Sequence, residues 1–185
     1  MAPIYLDFAS GDACERRMPE ALVEEEDARR MREALAAARH AREAGEVPVG
    51  ACVVAEDGRL LASAGNRTRT DCDPTAHAEV VALREAARRY GNYRLTGVTV
   101  YSTIEPCAMC AGALIQARVR RLVYGALDER FGAVESRFRL CDSGSLNHRM
   151  EITSGVLEEE CRAVMQEFFR ARRSDKQFGM RNFAG

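Results

Sequence analysis

The sequence predicts a single α/β domain in which helices cover both faces of one sheet. Three observations predict it. A chain of 185 residues is long enough for one domain with a real core. Segments of helical spacing alternate with short β-branched runs, the pattern of interleaved strands and helices. Turn residues such as Asp57-Gly58, Gly45 and Gly91 fall between those segments.

Residues 1–22 show no periodicity and read as a loose N-terminal extension; 23–173 form the expected domain and 174–185 a polar tail, expected to be disordered. In EEEDARRMREALAAARHAREAGEVPVG, Met31, Leu35, Ala38 and Ala41 or Arg42 share a helical face, with acids at the start and Gly45 at the stop. VPVGACVVAEDGRLLASAGN gives two apolar strands around Asp57-Gly58, a hairpin signal. PTAHAEVVALREAARRYG is helical again, with Thr75 as the expected N-cap and Gly91 at the stop. GVTVYST reads as a strand, CAMCAGALIQARV as a helix and RRLVYGA as a strand. The last helix is SGVLEEECRAVMQEFFRARR, where Leu157, Cys161, Val164 or Met165, and Phe168 recur every three or four places.

Composition excludes several classes. With 27 basic and 28 acidic residues the chain is no polycation, so a polyanion would have to be met by a local patch. Arginine richness is no sign of RNA either, because Arg replaces Lys throughout and Lys176 is the only lysine. No apolar run approaches a membrane span, and the acids and Gly near the N-terminus do not suit a signal peptide. Seven cysteines at irregular spacing do not form a secreted disulfide framework. A cytoplasmic protein, off the membrane, with mostly buried free thiols is expected.

Two short motifs carry chemistry: HAEVV from His77 and EPCAMC from Glu105. Both fall at the first turn of an expected helix, where partial positive charge favours the thiolates that a metal needs. Cys107 and Cys110 lie three apart on one helix face, and Pro106 suits a helix start. Two thiolates and an imidazole from His77 are a ligand set that zinc accepts, and three protein ligands leave a fourth position open. A structural site would fill that position, but Cys72, Cys141, Cys161, His40 and His148 lack a partner at ligand spacing. Glu79, two places after His77, is the carboxylate that moves protons beside an acidified water, provided the helix's leading residue is irregular enough for both side chains to reach one cavity.

These residues resemble the zinc-dependent cytidine and nucleobase deaminases, whose signature is H-x-E with P-C-x-x-C. The order and spacing of EVPVGA, Gly65-Asn66, DPTAHAE, NYRL, EPCAMCAGALI, LNHR and FFRARR are similar to the branch that acts on transfer RNA, over residues 24 to 173. The chain departs from that branch at Leu127 and at Val134-Glu135-Ser136. The resemblance implies a three-layer, cytidine deaminase-like fold with a central mixed sheet. It implies hydrolytic deamination of adenosine to inosine at the wobble position of a tRNA anticodon stem-loop, by hydroxide made on one zinc per chain. His77, Cys107 and Cys110 would hold the metal, Glu79 would shuttle protons and Asn66 would contact the base. Phe169, Arg172 and Arg173 in FFRARR would bind RNA. A homodimer is expected from that family's habit and from the small residues Ala111, Gly112 and Ala113. Two alternatives remain: a small-molecule deaminase of guanine, cytosine or a nucleoside, and a nucleic-acid-binding protein with a structural zinc.

Overall fold

The computed structural model describes residues 19–181, with side chains through Arg173. Helix α1 (Glu20–Glu43) precedes a hairpin of β1 (Gly50–Val54) and β2 (Leu60–Gly65). Then come α2 (Ala78–Tyr90), β3 (Thr99–Ile104), α3 (Ala108–Gln116), β4 (Arg121–Ala126), β5 (Glu151–Thr153) and α4 (Glu158–Arg181). The strands form one sheet in the order β2-β1-β3-β4-β5. β1 is antiparallel to β2 and β3, whereas β3–β4 and β4–β5 are parallel, so the sheet is mixed as expected. The parallel pair requires a crossover, which α3 supplies.

Two core layers flank the sheet. On one face Met31, Ala34 and Leu35 of α1 pack with Cys161 and Val164 of α4 against Cys52, Tyr101 and Val123. On the other, Ala82, Leu83 and Ala86 of α2 and Leu114 and Ile115 of α3 cover Val53, Val100 and Leu122. Alternate residues of β1 and β3 therefore feed opposite layers, the consequence of a strand's period of two. α1 lies unusually close to the hairpin: a Cβ on Gly50 would strike the backbone of Ala34 and Ala38, so only glycine permits this approach. A buried ion pair ties α1 to the far strands. Asp27 takes two hydrogen bonds from the Arg121 guanidinium, at 2.8 and 2.6 Å, and one from Tyr101 Oη at 2.9 Å. Arg121 also donates to Thr153.

The structure revises several sequence boundaries. α1 begins at Glu20, inside the stretch read as an extension, because Pro19 and acidic Glu20 make a good helix start; residues 1–18 lie outside the described residues. α4 runs to Arg181, past the expected start of the tail at 174, since polarity alone does not stop a helix already nucleated. α2 starts later than expected: His77, not Thr75, is its N-cap, and Thr75 instead donates backbone and hydroxyl hydrogen bonds to Asp73 Oδ1. Pro106 likewise sits one residue ahead of the α3 N-cap, Cys107. β5 has only three residues, too few to show a period, and has no counterpart among the strands expected from sequence.

Candidate active site

The N-termini of α2 and α3 converge beyond the end of β3. Each begins with a candidate metal ligand in extended backbone at the N-cap, His77 at φ −70°, ψ 150° and Cys107 at φ −71°, ψ 173°. This removes the obstacle of the H-x-E spacing. The 100° step per residue applies only within a helix, so His77, outside it, and Glu79, in its first turn, line one cavity.

His77 Nδ1 lies 3.7 Å from Cys107 Sγ and 3.6 Å from Cys110 Sγ. A tetrahedral zinc with bonds of about 2.0–2.1 Å to nitrogen and about 2.3 Å to sulfur needs N···S separations of about 3.6 Å. The residues present therefore fit the ion. Among the described residues no other group of three or more His, Cys, Asp or Glu side chains converges in this way, and no protein atom joins these three as a fourth ligand. The Cys107 thiol is pushed down to about 4, by the hydrogen bond from Cys110 and then by His77. Its bond to Cys107 pushes the Cys110 thiol up, and Cys107 likewise raises His77. A thiolate is thus favoured at the helix N-terminus, the form in which cysteine binds a metal.

Glu79 is a buried acid of the site, 2% exposed, and burial pushes its carboxyl up. Its Oε2 is the one buried side-chain polar atom without a hydrogen-bond partner among the described residues. Such a carboxylate oxygen is costly unless it has work to do with a ligand. Asn66 is 8% exposed and lines the same cavity. Its Oδ1 accepts from the Ala78 N–H at 2.8 Å, capping α2, and its backbone is not left-handed. With the carbonyl so engaged, the amide nitrogen is the group left to meet an acceptor on a ligand.

The cavity has a volume of about 980 Å³, and beyond the residues already described its walls come from four parts of the fold. Val47 and Val49 precede the hairpin, Ile104 ends β3, Asp128, Arg130 and Phe131 follow β4, and Met165, Phe169 and Arg173 come from α4. Of the FFRARR residues expected to bind RNA, Phe169 and Arg173 are at the cavity. Arg172 is not; its guanidinium lies over the Phe168 ring at 5.1 Å, and Phe168 is buried in the core.

Two buried carboxylates that sequence reasoning left unassigned hold the cavity's loops. Glu46 accepts from Thr68 Oγ1, Arg69 N, and both N and Oγ1 of Thr70. Glu105 accepts from Val134 N, Glu135 N and Ser136 N on Oε1, and from Asp128 N and Ser136 Oγ on Oε2. Burial pushes both carboxyls up, but these donors more than offset it and hold them below the usual carboxylate range. Gly132 is required beside Glu105, because a Cβ there would collide with the carboxylate. The signal available in sequence was an acid directly before Pro106 and another directly before Val47-Pro48.

A mixed sheet between two helical layers, with a His-Cys-Cys centre at two helix N-termini and a buried glutamate beside it, defines a zinc-dependent hydrolase. Residues 24–126 match the model of the cytidine and deoxycytidylate deaminase zinc-binding region, and the chain belongs to that family of deaminases. It is 46% identical over 161 residues to a tRNA-specific adenosine deaminase of Haemophilus influenzae, covering 86% of this chain and 93% of the relative. A tRNA-specific adenosine deaminase of Bacillus subtilis is 42% identical over 147 residues, covering 80% and 91%. A structure solved in work on A-to-I editing by tRNA:A34 deaminases at the wobble position superposes with a TM-score of 0.71 at 46% identity, covering 74% of this chain and 98% of the other. A guanine deaminase from Nitrosomonas europaea has a TM-score of 0.67 at 26% identity, covering 86% and 98%.

Proposed function

We propose that the protein deaminates adenosine to inosine at the wobble position of a tRNA anticodon, with His77, Cys107 and Cys110 as zinc ligands. The observation that carries the chemistry is the partnerless Glu79 Oε2 buried beside the three ligands. Bound zinc supplies a Lewis acid and a water acidified to a pKa near 7. Glu79 moves both protons: its carboxylate takes one from the water that attacks C6 and hands it to purine N1, then takes the second from the new C6 hydroxyl and passes it to the exocyclic amine, which leaves as ammonia while C6 becomes a carbonyl. The balance is adenosine plus water to inosine plus ammonia. Asn66 Nδ2 donates to an acceptor on the purine and so sets its orientation. The buried apolar side chain of Val49 and the largely apolar walls exclude bulk water around the base.

The relatives that carry a tRNA-specific name support the polymer as substrate. Arg130 and Arg173 at the cavity supply the cations that phosphates would need. We infer a cytoplasmic enzyme acting as a homodimer. Within α3, Ala111 is buried, but Gly112 faces open space and Met109 is 36% exposed, so the outer face of this helix is small and apolar enough for a second copy. A monomer mass by light scattering at micromolar concentration, with activity intact, would exclude the dimer. No described helix is long and apolar enough to cross a membrane.

The test is incubation with an anticodon stem-loop beside free adenosine, adenine, guanine and cytidine, reading inosine and ammonia. The stem-loop should react, and the same sequence in a duplex should not, because the base must first be unstacked and unpaired. Replacing Arg173 should weaken binding and flatten its dependence on salt. Faster turnover of free guanine or cytidine than of the stem-loop would replace this reading with a small-molecule deaminase.

A further inference from the structure

Phe131 is a hydrophobic side chain left 69% exposed, yet it lines the reactive cavity. The comparably exposed Tyr93 and Phe138 do not line it. The loop behind Phe131 is not loose. Its base is fixed by Glu105, which accepts from Asp128 N and from three successive N–H groups at 134–136. Glu135 takes a hydrogen bond from the Tyr124 hydroxyl, and Ala133 N donates to Pro106 O. Cys107 and Gly132 form a β-bridge. Asp128 Oδ1 then accepts from Arg130 N and Phe131 N at 2.9 and 3.2 Å, fixing the backbone at the aromatic residue itself. A backbone so constrained presents an apolar ring to solvent at the mouth of the site, a preorganised arrangement that favours a ligand able to cover it.

The cavity's size and charge indicate which ligand. At about 980 Å³ it lies at the upper end of the range for pockets that enclose a drug-sized molecule, so a single purine leaves the mouth unfilled. Phe169, 42% exposed, lines the same cavity from α4, and Arg130 and Arg173 line it with cations. Exposed aromatic rings beside cations are the pairing by which proteins hold unpaired nucleotides, stacking on base faces and neutralising phosphates. We propose that Phe131 is a stacking platform for the base adjoining the reacting adenosine, so that the enzyme reads an unpaired neighbour as well as its target. This rests on the RNA-deaminase reading above and adds a specificity-determining residue to it. Stacking is indifferent to which base is present but requires that one be there and be unpaired.

The test uses the full-length zinc-loaded protein and three stem-loops: intact, abasic on the 5′ side of the reacting adenosine, and abasic on the 3′ side. On the intact loop Phe131→Ala should lower kcat/KM by roughly 5- to 150-fold, mainly through KM, the range for loss of one aromatic–base stack. One of the two abasic loops should cost the wild type a similar factor, and Phe131→Ala should lose little more on that loop, because both changes remove the same contact. Phe131→Tyr should restore the rate, while Phe138→Ala should match the wild type. Zinc content and melting temperature should be unchanged in Phe131→Ala. A wild type active on the intact loop with Phe131→Ala within 2-fold of it overturns this inference alone, as do losses that multiply on both abasic loops. A wild type inert on the intact loop but active on a free base overturns the RNA reading itself.

Discussion

Replacing Glu105 by Gln isolates the charge that organises the loop over the site. The side chain keeps its shape, and its carbonyl can still accept from Val134 N, Glu135 N and Ser136 N. The other end becomes an NH₂ group facing two donors, Asp128 N and Ser136 Oγ. The Ser136 hydroxyl can rotate to accept; the Asp128 amide cannot. One hydrogen bond to a charged group, at about 1.5–3 kcal/mol, is lost outright, and the three that remain weaken to neutral strength. A net loss of about 2–4 kcal/mol follows once some relaxation is allowed. In a domain of this length that corresponds to about 4–16 °C in melting temperature. The functional consequence is separate, since Asp128, Arg130 and Phe131 line the cavity from this loop. KM for the stem-loop should rise more than kcat falls, and zinc content should hold. Calorimetry with steady-state kinetics on the same preparation measures both. A melting temperature within 2 °C of wild type, with KM unchanged, would refute the claim that the Glu105 charge holds the loop.

The metal centre separates binding from turnover: Cys110→Ala should lose zinc by elemental analysis, whereas Glu79→Gln should keep zinc and lose at least about 100-fold in kcat. Glu46 gives a pH dependence of known sign. Its folded carboxyl titrates below the unfolded value of about 4.3, so its stabilisation is present above that pH and is lost as pH falls through the lower folded value. The gap in melting temperature between wild type and Glu46→Gln should therefore be constant near neutrality and narrow in acid; a gap that widens in acid contradicts the assignment. Asp27→Ala leaves Arg121 largely buried without its partner and should cost about 3–5 kcal/mol in chemical denaturation, with little effect on zinc.

What the sequence determined by itself was local. Cys107 and Cys110 sit three residues apart, and His77 heads a short motif, so ligand type and spacing were readable without a fold. The hairpin was equally local, because Asp57-Gly58 encodes its turn and Gly58 takes φ +83°. Helical faces such as Met31, Leu35, Ala38 and Ala41 were legible because burial imposes a period on them. Other features depended on contacts across the chain. Thr75 was a reasonable cap by type, but Asp73 engages it, and Asn66, twelve residues before Ala78, caps α2 instead. Arg172 had the charge expected for RNA, yet helix geometry turns it onto Phe168 while Phe169 and Arg173 reach the cavity. Glu105 and Glu46 stood out locally only as acids beside proline motifs; their partners were not legible, since their donors lie 22 to 31 residues further along the chain. Phe131 looked like any loop residue until that hydrogen bonding fixed its backbone and left its ring at the mouth of the cavity. Spacing records which groups neighbours can share; only the closed fold decides which distant donors a buried charge gathers, and so which side chains are left for a substrate.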